Sequence, residues 1–398
     1  MAIATKIEAF IENSSWIRKM FEEGEQLRKI HGADKIYDFT LGNPNIEPPP
    51  EFAAELRQLA EHPLPGMHRY MSNAGYMESR EAVAELLTGA SGCDVRGSHV
   101  VMTCGASGAL NVALKTILNP GEEVIILAPF FVEYKFYIDN HGGVSKVVWT
   151  DPLTFQLDIP AIEAAINERT RAIIINNPNN PTGAVYPAAS LELLGKMLRR
   201  KELEIGRQIY VISDEPYSRI TYDGVIAPNI FPYVDNAVIV TSHSKDLALP
   251  GERIGYLAAN PAMTHVDLFM EGAIFANRTL GFVNASALMQ RLVAKLQHVT
   301  VDIAEYQEKR DILYENLTEM GFRMARPAGA FYLFPHSPLD DDIEFVRMAL
   351  RHHILIVPGA GFGAPGYFRI AYCVDKGMIE RSLPAWRELA KEVGINNG

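Results

Sequence analysis

From residue 78 to residue 213 the chain alternates stretches of helical apolar periodicity with short β-branched runs, and no other feature constrains its fold as strongly. The pattern predicts helices over 78–89, 107–118, 131–141, 159–167 and 188–201. Between and after them it predicts strands over 99–103, 123–128, 144–149, 171–176, 208–213, 237–242 and 253–259. A chain that alternates in this way folds as α/β, with a mostly parallel sheet of the seven-stranded type held between helices. A long helical tract from about 283 to 320 follows, then short strands near 322–325, 330–334, 354–357 and 367–372 and helices over 342–352 and 375–392. This second part reads as a smaller α+β unit.

The N-terminal residues Ile3, Ile7, Phe10, Ile11, Ile17, Met20, Phe21 and Leu27 recur at roughly helical spacing and predict one or two amphipathic helices. Between Leu41 and Pro50, four prolines remove donors and fix φ, which excludes regular structure and marks a boundary. The expected division is residues 1–50 as an N-terminal arm and part of a small domain, 51–285 as a large domain, and 286–398 as a small C-terminal domain.

Composition narrows the function. With 37 Lys and Arg against 48 Asp and Glu, the formal charge is −11, the wrong sign for a broad face against nucleic acid or anionic lipid. Any anion must therefore bind at a local site. Three widely spaced cysteines without a CxxC pair suggest neither a disulfide framework nor a zinc site. No apolar run approaches a membrane span, and the acidic Glu8 and Glu12 argue against a transit peptide, so a cytoplasmic protein is expected.

In an open parallel sheet, ligands bind beyond the carboxyl ends of the strands. Four segments stand at such ends. Met102-Thr103-Cys104-Gly105-Ala106-Ser107-Gly108 runs from a strand into small residues and a helix, where backbone N–H groups and the helix dipole suit an anion. Ala109 replaces the last glycine of an esterase GxSxG elbow, which argues against that reading. Asn176-Asn177-Pro178-Asn179-Asn180-Pro181-Thr182-Gly183 presents amide side chains on a backbone fixed by prolines. Asp214, in Asp214-Glu215-Pro216-Tyr217, follows a buried strand and needs either a helix to cap or a cationic ligand. Ser242-His243-Ser244-Lys245 places a lysine past a strand end with Arg253 eight residues on, which suits a reactive amine beside an anion site. Ser242-x-x-Lys245 lacks the companion motifs of penicillin-binding enzymes. Gly359-Ala360-Gly361-Phe362-Gly363-Ala364 leads into a strand, so it is no dinucleotide fingerprint.

Taken together, Asn-Pro-x-Asn-Pro-Thr-Gly, then Asp-x-x-Tyr, then Ser-x-Ser-Lys-x-x-x-Leu-Pro-Gly-x-Arg-Ile-Gly resemble the signature of the pyridoxal-phosphate-dependent class I/II aminotransferases of fold type I. The resemblance extends from Leu41-Gly42 to Arg369. It implies a bound pyridoxal 5′-phosphate, with Lys245 as the lysine that bonds it and Asp214 as the partner of its pyridine nitrogen. It implies further that Asn180 and Tyr217 reach the phenolic oxygen, that Phe131 stands where Tyr or Trp usually covers the ring, and that Gly105, Ala106, Ser107, Ser242, Ser244 and Arg253 hold the phosphate. Arg369 and Gly42, with Asn180, match the substrate-carboxylate pocket, and Tyr70 resembles the tyrosine that reaches the phosphate of a neighbouring subunit in a homodimer.

The reaction that follows is transfer of an amino group from an L-amino acid to a 2-oxo acid by a ping-pong cycle through pyridoxamine phosphate. A β-lyase of the same architecture is the alternative, because the signature serves the cofactor. Aspartate or glutamate, aromatic and neutral donors stay open, with Arg278 a candidate second cation for a dicarboxylate. Neither metal, nucleic acid nor membrane is expected. Asp340-Asp341-Asp342 is expected to cap a helix, and the adjacent His352 and His353 make a poor chelating pair.

Overall fold

In a computed structural model that describes residues 3–13, 23, 24, 26, 28–30 and 32–395, seven strands join in one sheet. They are β2 (Val100–Thr103), β3 (Glu123–Ala128), β4 (Val144–Trp149), β5 (Thr170–Asn176), β6 (Tyr210–Asp214), β7 (Ala237–Ser242) and β8 (Gly255–Ala259). Their order is β2-β8-β7-β6-β5-β3-β4, with β8 antiparallel to both neighbours and every other pairing parallel. Alternate residues of the strands enter different cores. Ile125, Ile173 and Val211 pack into one apolar cluster, while Ile126, Ile174 and Ile212 pack into another. Burial on both faces explains why these strands read as continuous apolar runs.

The C-terminal part has a core of its own, in which Trp386, Phe322, Phe345 and Phe368 meet. Its strands are short. β1 (Tyr37–Asp38) pairs with β10 (Ile354–Leu355), and β11 (Val357–Pro358), β12 (Phe368–Ala371) and β9 (Tyr332–Leu333) form a three-stranded sheet in that order. The segment just ahead of the proline-rich stretch thus belongs to this part through β1.

Several expectations need correction. Pro50 does not end an irregular stretch but opens a helix, Pro50–Glu61, where its missing N–H costs nothing. A helix over Val266–Thr279 escaped the pattern because Leu268 and Phe275 sit on its exposed side and blur the apolar stripe. The tract 283–320 is two helices, Ala287–Lys295 and Ile303–Glu319, the second capped by Asp302. Residues 322–325 form no strand; Phe322 is a core anchor instead. Strand β8 begins at Gly255, because Arg253 adopts left-handed φ and ψ of 51° and 47°.

At the N-terminus a helix spans Thr5–Asn13, with Phe10 edge-on to Phe136 at 4.9 Å and Lys6 paired with Asp139. Ile17, Met20, Phe21 and Leu27 lie outside the described residues. Asp341 caps the helix Asp342–Arg351 as expected, accepting from the N–H groups of Ile343 and Glu344. Among the described residues no helix is long and apolar enough to cross a membrane.

Candidate active site

Strands β5, β6 and β7 are parallel neighbours, and their last residues are Asn176, Asp214 and Ser242. Parallel pairing therefore delivers three polar side chains to one edge of the sheet, together with the loops that follow them. A cavity of about 320 Å³ opens there. Its walls include Gly42, Ala106, Ser107, Phe131, Asn180, Asp214, Tyr217, Ser242, Ser244, Lys245, Arg253 and Arg369, twelve of the fourteen residues singled out from sequence. Gly105 stands just behind the wall. Tyr70 does not reach it: it is 93% exposed and lines a separate depression with Arg69, Phe282 and Asn284.

Asp214 caps no helix, since the residues after it form a turn. Its Oδ2 accepts from the Tyr134 hydroxyl at 2.5 Å, and its Oδ1 is buried without a partner. Burial pushes the carboxyl up to about 7, against the opposing pull of the Tyr134 hydrogen bond. A buried acceptor left unpaired is costly, so this oxygen calls for a cationic or N–H-bearing ligand.

Lys245 stands on a single helical turn after β7. Its Nζ donates to the Gly42 carbonyl at 2.5 Å and lies 5.4 Å from the centre of the Phe331 ring. Burial lowers the amine to about 8, which makes its neutral, nucleophilic form accessible. A Cβ on Gly42 would collide with the Tyr332 hydroxyl, so only glycine lets this backbone pass so near the lysine.

The Asn-Pro segment is held by its own amides. Asn176 Nδ2 donates to the Asp214 carbonyl at 2.8 Å, and the Asn180 N–H donates to Asn176 Oδ1 at 2.6 Å. Asn180 Oδ1 in turn accepts from Arg369 Nη1 at 3.1 Å. Arg369 Nη2 donates to the Thr40 carbonyl at 2.5 Å, its guanidinium lies 4.7 Å from the rings of both Tyr332 and Phe362, and its Nε is buried and unpartnered. The planar group is clamped with donor capacity to spare, as binding a carboxylate requires.

At the other end of the cavity the helix Gly105–Ile117 presents its N-terminus. Gly105 has φ of 71°, and a Cβ there would meet Arg253 Nη2 at 2.8 Å. The first turn, the guanidinium of Arg253 and the hydroxyls of Ser107, Ser242 and Ser244 make an anion cradle. This answers how a chain of charge −11 can hold an anion.

Sequence reasoning passed over Tyr134, Glu133 and Tyr332. Tyr134 follows Phe131 by three residues, so a helix start there would have brought both to one side. Tyr332, on β9, shares a hydroxyl contact of 2.8 Å with Tyr217. Glu133 lines the cavity, and its Oε2 is buried without a partner. Arg278 is exposed, over the ring of Phe275, and is not among the lining residues. Among the described residues no cluster of His, Cys, Asp or Glu is arranged to hold a metal.

This chain and its fold have counterparts among known proteins. The model of the family "aminotransferase class I and II" matches residues 34–385, and the chain belongs to that family. It is 32% identical over 373 residues to an aspartate/prephenate aminotransferase of Thermus thermophilus, covering 90% of this chain and 91% of that one. It is 30% identical over 406 residues to aromatic-amino-acid aminotransferase 2 of Thermococcus litoralis, covering 98% and 99%. An amino transferase of Eubacterium rectale superposes with a TM-score of 0.96 at 38% identity, covering 99% of this chain and 100% of that one. The protein is an aminotransferase; the elimination alternative finds no counterpart among these relatives.

Proposed function

We propose that the protein is a pyridoxal-5′-phosphate-dependent aminotransferase that moves an amino group from an L-amino acid to a 2-oxo acid. One observation carries the reading. Asp214, with a buried and unpartnered carboxylate oxygen, and Lys245, with an amine lowered to about 8, line the same cavity. The first suits a protonated pyridine nitrogen and the second suits an aldehyde carbon, so the residues present fit the cofactor.

When bound, the cofactor would supply an electron sink for charge developing at the substrate Cα. The chain does the rest. Asp214 keeps the proton on the pyridine nitrogen. The Tyr217 hydroxyl and the Asn180 amide serve the phenolic oxygen, and Phe131 covers the ring and keeps water from it. Ala106 and Ser107, with Gly105 behind them, Ser242, Ser244 and Arg253 hold the phosphate at the helix start. Arg369 fixes the substrate α-carboxylate beside Gly42 and Asn180, which aims the Cα–H bond at Lys245. With the cofactor bound, the Lys245 amine would serve as general base and acid, taking the proton from Cα and returning it at the cofactor's C4′.

The relatives' names cover aspartate, prephenate and aromatic amino acids, and we take the donor from aspartate or glutamate, aromatic and neutral amino acids. We also propose a cytoplasmic homodimer with a shared active site. The exposed Tyr70 supports it, since its hydroxyl is free to reach the phosphate of a partner. Within one chain, we read the seven-stranded sheet and its helices as a large cofactor domain. Met289, Leu292, Val293 and Leu296 pack in the sheet's cluster, which supports a boundary past Leu296 instead of 285.

A visible spectrum tests the reading. Wild-type protein with pyridoxal phosphate is expected to show a long-wavelength band that amino acids bleach and a 2-oxo acid restores, and Lys245→Ala is expected to lack it. Absence of the band in the wild type sinks the cofactor assignment. Release of ammonia without recovery by a 2-oxo acid would favour elimination. Mixing inactive Tyr70→Ala and Lys245→Ala variants tests the shared site, because mixed dimers should regain activity.

A further inference from the structure

Glu133 is the first residue of the helix Glu133–Asn140, two residues beyond Phe131 on the same wall of the cavity. The charged side chains lining this cavity are Glu133, Asp214, Lys245, Arg253 and Arg369. On the proposed reading, on which this inference rests, Asp214, Lys245 and Arg253 serve the cofactor and Arg369 serves the α-carboxylate. Only Glu133 is left without a task.

We propose that Glu133 reads the distal end of the substrate side chain, selecting amino acids that end in a hydrogen-bond donor, such as an amide, hydroxyl or ammonium group, over those that end in a carboxylate.

Three observations support this. Glu133 Oε2 is buried and accepts from no protein group, while no ion pair joins Glu133 to Arg369 although both line the space. An ionised carboxylate only accepts, so a donor from the ligand is what completes it. Partial burial raises this carboxyl, with a hydrogen bond from its own backbone N–H and then the charge of Arg369 pulling the other way, so the acid sits within the field of the arginine while Oε2 stays unserved. Finally, among the residues that one chain contributes to the lining, no Arg, Lys or His remains free for a second substrate carboxylate, and Arg278 lies elsewhere. Aspartate or glutamate would bring like charge against Glu133 in a low-dielectric pocket.

The isosteric pairs asparagine/aspartate and glutamine/glutamate test the proposal on the holoenzyme. Each donor's kcat/KM is taken from the rate at which it bleaches the cofactor band, with alanine as the reference donor for each variant. Wild type is expected to favour the amide of each pair, and Glu133→Gln should cut that preference about tenfold or more, chiefly through KM. Glu133→Ser, which keeps a helix-start residue, should do the same. Independently of turnover, calorimetry should show succinate binding about tenfold tighter to Glu133→Gln than to wild type. A wild type that prefers the acids, or amide-to-acid ratios and succinate affinities unchanged in both variants, overturns the proposal. If no amino acid bleaches the wild-type band, the aminotransfer reading falls and this inference falls with it.

Discussion

The Tyr134 hydroxyl donates to one oxygen of Asp214 at 2.5 Å and leaves the other buried and unpartnered. In the cofactor-free protein this geometry makes stability depend on pH. Asp214 titrates at about 7 in the folded chain, well above the unfolded value near 3.9. Between those values the folded state holds a proton that the unfolded state has released. The stabilisation is complete below about pH 4 and is lost as pH rises through about 7. Going from pH 5 to 8, the apoprotein should lose about 2.5 kcal/mol more than Asp214→Asn. Glu215, pushed by burial to about 8, contributes with the same sign and leaves the variant a residual slope. Chemical denaturation of apoprotein at the two pH values checks this, and equal losses in both proteins would refute it.

Lys245 should be the most reactive lysine side chain of the apoprotein. With its amine at about 8, half is neutral at that pH, whereas an ordinary lysine near 10.4 is almost wholly charged. Trinitrobenzenesulfonate at limiting concentration should label Lys245 ahead of the other lysines, with a rate that titrates near pH 8, as mapped by mass spectrometry. A midpoint near 10 would show that burial does not depress it. In the holoenzyme, Lys245→Ala should lower turnover by about a thousandfold or more, the scale of a lost proton-transfer group with its covalent role removed as well.

Arg369 makes a claim about shape as well as charge. Its fork is shared between Asn180 and Thr40, and its plane lies against Tyr332 and Phe362. Lysine keeps the charge but neither the plane nor the second donor. Arg369→Lys should lower kcat/KM for every amino acid by about 100-fold or more, mostly through KM, as expected for loss of a bidentate carboxylate contact worth about 3 kcal/mol. An unchanged KM would place the α-carboxylate elsewhere.

Much of this site was legible because its chemistry is written in short segments at strand ends. Asp214 and Lys245 follow apolar runs that only a buried parallel strand explains, and the turn residues between them have few structural alternatives. What escaped depends on three-dimensional pairing. Tyr134 looks like an ordinary aromatic of an amphipathic helix until the sheet brings it to Asp214 across eighty residues of chain. Tyr332 comes from a two-residue strand, too short to leave a period. Glu133 sits at a helix start, where an acid is unremarkable, and only its burial without a partner sets it apart. The missed helix Val266–Thr279 failed for a different reason, since apolar side chains on its exposed side hide the stripe that faces the sheet.

Gly105 offers a test of the anion cradle that leaves every hydroxyl and charge in place. Its φ of 71° is open to glycine and strained for alanine, at about 1–2 kcal/mol. The added Cβ would also press on Arg253 Nη2, so the guanidinium must move from the helix start. Both effects fall on the proposed phosphate site and neither on Asp214 or Lys245. Gly105→Ala should therefore release pyridoxal phosphate about ten- to a hundredfold more readily, corresponding to about 1.4–3 kcal/mol, while turnover at saturating cofactor falls much less. Equilibrium dialysis of the cofactor set beside kcat measured with excess cofactor separates the two. Unchanged retention with reduced kcat would mean that the phosphate lies elsewhere and that this turn supports the reacting end of the cavity instead.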